Sequence, residues 1–154
     1  MLKRPRSCYI LTILWLLLSL IFINWGWYSI SYVLIIPTWP IGIARSLYPL
    51  LLFGTTLSSI VWIVFACLFL LFSYGTFIGK KWVWTIGVIL SSLFLIIFGL
   101  MLGSFMVTAI VFPGFFSIAG LNSVVVAFIL DLGVIYFITR PDIKFYFKIN
   151  NNHY

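Results

Sequence analysis

The chain has 154 residues, 64% of them hydrophobic and 7% charged, where a soluble domain carries roughly a quarter charged residues. No water-soluble fold hides so much apolar surface, so the solvent for most of the chain is a bilayer. The formal charge of +7 does not point to nucleic acid, because the basic residues sit in clusters between apolar runs and form no patch on a soluble surface.

At about 20 residues per helical span, the length accommodates four spans with short connections. The apolar runs are continuous and do not alternate with polar residues, which argues against a β-barrel. The N-terminus, Met1 to Ser7, is short and basic, and an apolar run from Cys8 to Ile36 follows. A signal peptide opens the same way, but this run is too long and its best small-residue pattern, Ser29-Ile30-Ser31, is a poor cleavage site. The reading is an uncleaved first span over about 8–36, with Trp25, Trp27 and Tyr28 near the outer interface. Pro37, Pro40, Pro49 and Gly42 then interrupt the helical pattern, and Trp39 and Tyr48 flank Arg45. This predicts an outer interfacial segment over 37–49, with a re-entrant segment lining a cavity as the alternative.

The second span is predicted over 50–78, and Gly79-Lys80-Lys81 makes a tight inner turn. The third runs over 82–112, with Trp82 and Trp84 at its inner interface. Pro113-Gly114 opens a short uncharged connection containing Phe115 and Phe116, and the fourth span covers 120–139. It ends at Arg140-Pro141, because proline disfavours helical geometry at the residue before it. The cytoplasmic tail, 140–154, alternates basic and aromatic residues; it either lies along an anionic lipid surface or frays near Asn150, Asn151 and Asn152.

With both termini inside, Lys3, Arg4, Arg6, Lys80, Lys81, Arg140, Lys144 and Lys148 fall on the inner face, at headgroup level, and only Arg45 falls outside. The positive-inside rule then predicts cytoplasmic N- and C-termini in the cell membrane. The two cysteines, Cys8 and Cys67, differ in depth by roughly 18 Å at the helical rise, too far for a disulfide. Cys8, beside basic residues, would be a lipidation site in a eukaryote; the simpler reading is an unmodified thiol.

Each span carries small or weakly polar residues at spacings that return to one helix face. They are Thr12, Ser19 and Gly26 in the first; Ser59, Ala66 and Ser73 in the second; Ser92, Gly99 and Gly103 in the third; and Ser123, Ala127 and Asp131 in the fourth. Lipid gives no hydrophobic drive for helix pairing, so close backbone approach and hydrogen bonds must supply it. These stripes are therefore expected to form the interior of a four-helix transmembrane bundle, with Gly99-x-x-x-Gly103 as its best close-approach pair.

Asp131 is the only acidic residue within an apolar segment. A charge at mid-bilayer costs ~3 kcal/mol on insertion scales, so this residue should face the bundle. Counting from the inner boundary, Ser92 is the first choice of partner and Ser73 the second. Arg140, on the same helix, falls on the opposite face. With no cation at that depth, Asp131 is expected to be protonated and to donate a hydrogen bond. A structural role, holding helices together or facing a partner subunit, is the main reading; a proton- or ion-handling role and a solvated outer position are the alternatives. Asn24 lies off the first helix's stripe, near the outer interface. His153 has no second ligand beside it, so no metal site is expected. No nucleophile triad, phosphate loop or cofactor motif is present, which argues against an enzyme.

Two stretches carry a resemblance: Gly79-Lys80-Lys81-Trp82-Val83-Trp84 before an apolar helix, and Tyr136-Phe137-Ile138-Thr139-Arg140-Pro141-Asp142-Ile143-Lys144-Phe145-Tyr146-Phe147. Together they resemble a loose group of uncharacterised small prokaryotic membrane proteins, many archaeal. In that group a basic-Trp start precedes the third helix and the fourth ends in Tyr-x-x-Thr-Arg-Pro-x-Val-Lys-x-x-Phe. The likeness covers roughly the second half of the chain. It implies the topology and no activity; an Asn is common in the group where Asp131 stands.

The expected fold is thus an all-α, polytopic bundle of four spans in a single membrane domain. The expected function is a non-catalytic accessory or assembly subunit of a larger membrane complex, without cofactor. Its partners would be the lipid bilayer and other membrane subunits, and a homo-oligomer is compatible with this. The alternative is a small self-associating transporter or channel with Asp131 on the path.

Overall fold

A computed structural model describes residues 5–35, 44–111 and 118–149. The described chain is all helix: α1 (Arg6–Ile35), α2 (Ala44–Ile78), α3 (Lys81–Val111), α4 (Ile118–Ile138) and α5 (Pro141–Ile149). The first four are each long and apolar enough to cross a membrane. Their ends depart from expectation by a few residues, with one larger difference. Helix α2 begins at Ala44, so 44–49 of the predicted interfacial segment are helical and Pro49 lies inside the helix. Proline there forgoes a single backbone bond, near the start of the helix. Residues 37–43, the rest of that segment, and 113–117 of the next connection lie outside the described residues.

The α2–α3 turn is the expected one. Gly79 has φ 83°, in the left-handed region that glycine adopts without strain. Its N–H bonds the Thr76 carbonyl at 3.2 Å, and the Lys80 N–H bonds the Gly75 carbonyl at 3.0 Å. This is a Schellman closure, which satisfies carbonyls that the helix end would leave open.

Around the bundle, α1 has its largest interface with α2, then with α4; α3 packs mainly on α4. The α1–α2 seam is made by the predicted small residues. A Cβ on Gly26 would stand 3.0 Å from Ile63 Cγ1, so the two backbones approach closely. Ser19 Oγ donates to the Ala66 carbonyl at 3.0 Å and Ser73 Oγ to the Thr12 carbonyl at 3.2 Å. Helix α3 touches α1 and α2 through rings. Phe22 packs edge-on against Phe94 at 5.4 Å, and Phe94 meets Phe65 edge-on at 4.9 Å and Phe69 at a tilt at 5.3 Å. Aromatic side chains fill the wider gap that small residues leave elsewhere.

The tail predicted as a lipid-surface strip or a frayed end is, over Pro141–Ile149, a helix docked on the bundle. Ile143 and Phe147 are buried against it, while Lys144 and Phe145 are exposed. Two contacts fix its start. Ser7 Oγ donates to Asp142 Oδ2 at 2.6 Å, and Trp84 Nε1 donates to the Ile138 carbonyl at 2.9 Å. Lys144 Nζ sits over the Trp84 ring at 5.6 Å. The Arg140–Asp142 pair, at 3.9 Å and half exposed, adds little.

The Ser7 hydrogen bond is the main cause holding the Asp142 carboxyl below the usual carboxylate range. A depressed folded-state value means that the tether's contribution is present above the ordinary carboxylate pKa and is lost as pH falls through the depressed one. Amide hydrogen exchange of Pro141–Ile149 should therefore change little between neutral pH and about pH 5, once corrected for its intrinsic pH dependence, and rise only on stronger acidification. Asp142→Asn should give the acid-like exchange at neutral pH; exchange insensitive to both would show that Ile143 and Phe147 alone dock the helix.

Candidate functional site

Asp131 is fully buried, on the inner face of α4 with Val124, Ala127, Val134 and Ile138. That face was legible in the sequence, and the half-buried Ser123 continues it toward the far end. The partner was not. Ser92 is exposed and bonds its own helix at the Val88 carbonyl, 2.8 Å away, and Ser73 is committed to α1. The hydroxyl beside Asp131 belongs to Ser91, one residue from the expected position.

The correction on α3 extends along its length. Its buried face is Val83, Gly87, Ser91, Phe94 and Phe98. Ser92, Gly99 and Gly103 lie on the exposed face, and a Cβ at either glycine would meet nothing within 4 Å. Small size marks a face that permits close approach; it does not say whether the bundle or something outside it will approach. A second signal was available in the sequence, because Gly87, Ser91, Phe94 and Phe98 also recur at helical spacing.

Gly87 makes room for two neighbours at once. A Cβ there would lie 2.9 Å from Ile138 Cδ1 and 3.3 Å from the Trp15 ring. The Trp15 indole of α1 thus reaches the α3 face one turn from Ser91. It also stacks on Phe69 and Phe72 of α2 at 5.4 and 5.1 Å. Among the described residues, Trp15 Nε1, Ser91 Oγ and both Asp131 oxygens are buried without a hydrogen-bond partner. Asp131 and Ser91 are neighbours, but their geometry falls short of a hydrogen bond. The expected interhelical bond from Asp131 is therefore absent among the described residues.

An unpartnered buried polar group costs about 1–3 kcal/mol, and an ionised one far more. Asp131 is thus an intramembrane group whose burial carries a cost. Rings of Phe22, Phe94 and Phe98 pack together on the side away from α5, and Trp15 and Ile138 close the other side.

The remaining site residues fall at one end. Arg6 opens α1, Lys80 and Lys81 form the α2–α3 turn, and Arg140 and Lys144 flank the start of α5; all five are exposed. Arg140 lies over the Tyr136 and Phe137 rings at 5.6 and 5.8 Å, away from the buried Asp131 as its spacing predicted. Lys3 and Arg4 lie outside the described residues. Lys148 lies in the last turn of α5. Cys8 is buried and Cys67 exposed, so the Cys8 thiol is poorly placed for acylation. The described residues contain no cluster able to hold a metal ion.

Both Asp131 oxygens lack a hydrogen-bond partner among the described residues, so Asp131→Val, apolar and near its volume, should leave stability unchanged or raise it by about 1–3 kcal/mol. Denaturant unfolding in detergent checks this, and marked destabilisation would restore a structural role. Comparison of the chain with known proteins finds no matching family model, no matching curated protein and no matching solved structure.

Proposed function

We propose that the chain is a non-catalytic accessory or assembly subunit of a larger membrane protein complex. The observation that carries this reading is the exposed face of α3. Thr85, Ser92, Gly99 and Gly103 share that face and are all exposed. No described residue comes within 4 Å of a Cβ built at either glycine. Such a face lets a second helix come close, and close packing is what drives association in lipid.

Purification in mild detergent should recover the chain with larger partners. Gly99→Leu with Gly103→Leu should release it alone, with unchanged helicity, since neither glycine packs inside the bundle and leucine is the better helix former. A native chain purified as a lone monomer would sink the proposal.

A second reading is favoured by the unpartnered Asp131: a small self-associating transporter or channel in which this carboxyl handles a proton or ion. Flux in liposomes containing only this chain, abolished by Asp131→Asn, separates it from the first.

The cell membrane is the proposed location, with the end that gathers Arg6, Lys80, Lys81, Arg140 and Lys144 facing the cytoplasm. Reporter domains fused at either terminus should both read cytoplasmic. A reporter on the far side at either end would reverse or break this topology.

A further inference from the structure

At the end of the bundle away from α5, the four spans enclose a cavity of about 320 Å³, open on one side. Its walls are largely aromatic and apolar: Trp25 of α1, Trp62 of α2, Met101 and Phe105 of α3, and Val124 of α4. Trp25 and Trp62 meet edge to face at 5.1 Å, so this part of the wall is braced.

Two of its hydroxyls are committed to their own helices. Ser29 Oγ donates to the Trp25 carbonyl at 3.0 Å, and Ser123 Oγ donates to the Gly120 carbonyl at 2.8 Å. The Asn24 amide lines the same space and makes no hydrogen bond to any described residue. An amide offers two N–H donors and one carbonyl acceptor. None of the described lining residues carries a charge. Asn24 stands roughly 24 Å along α1 from Cys8, against a hydrocarbon core of about 30 Å, so its amide is near the far interface.

From this geometry we infer that the cavity is a binding site for an uncharged amphipath drawn from the membrane. The occupant has a carbonyl or hydroxyl head that bonds Asn24, and a ring-containing apolar body that lies against Trp25, Trp62 and Phe105. The occupant's head is uncharged, because none of the described lining residues supplies a counter-charge and burial would cost a charge its hydration. The volume is at the low end of the ~300–1,000 Å³ of small-molecule pockets, which fits a ring and its head and not a whole phospholipid. The site is independent of whether α3 binds a partner.

The test is a titration of the full chain in maltoside micelles with a decyl-substituted benzoquinone, read by tryptophan quenching, with decyl sulfate as the charged competitor. The expected result is saturable quenching with one site per chain, not displaced by decyl sulfate. Asn24→Leu should weaken it about tenfold, the loss of one buried hydrogen bond. This variant keeps the fold, since the side chain is exposed and leucine suits both helix and lipid. Ser123→Phe, which fills the space, should abolish the saturable component. Quenching that rises linearly with probe, that survives both substitutions, or that decyl sulfate displaces would overturn the assignment.

Discussion

Helices in lipid gain nothing by hiding apolar surface, because the solvent is as apolar as they are. The bundle must therefore be held by how closely backbones approach, by hydrogen bonds across helices, and by shape. The α1–α2 seam supplies the first two. Gly26 lets Ile63 in, and Ser19 and Ser73 each reach a carbonyl of the opposite helix. This pair is the frame on which α4 and α3 are laid.

The third means, shape, is supplied by rings. On α3 the residues turned toward α1 and α2 at mid-height are Phe94 and Phe98, not small ones. They meet Phe22, Phe65 and Phe69 in a continuous aromatic column. A helix held at ring distance needs no small face toward its neighbours. This frees the Ser92–Gly103 stripe to point outward, where it becomes the strongest argument for an external partner.

The two ends of the bundle differ in kind. One is closed by α5, the Ser7–Asp142 bond, the Trp84–Ile138 bond and a set of exposed cations. The other holds a cavity whose described lining is aromatic and uncharged, with one uncommitted amide. Between them, Asp131 occupies a closed interior that gives it a serine neighbour and no good hydrogen bond. These three features separate by depth, so substitutions can address each on its own.

Apolar run lengths, clustered cations and the Gly79 turn determined by themselves that this is an all-helical chain with four span-length helices. Bilayer thickness and backbone chemistry leave few other solutions. The inner faces of α1, α2 and α4 were legible as well, because small residues there meet other helices of the same chain. Only the tertiary structure decided which face of α3 turns inward. Ser91 and Ser92 are adjacent and equally polar, and the choice between them rests on where the Phe94 and Phe98 rings find space. Likewise, the docking of α5 and the Asn24 cavity depend on contacts between residues far apart in the chain. Local spacing carries no record of such contacts.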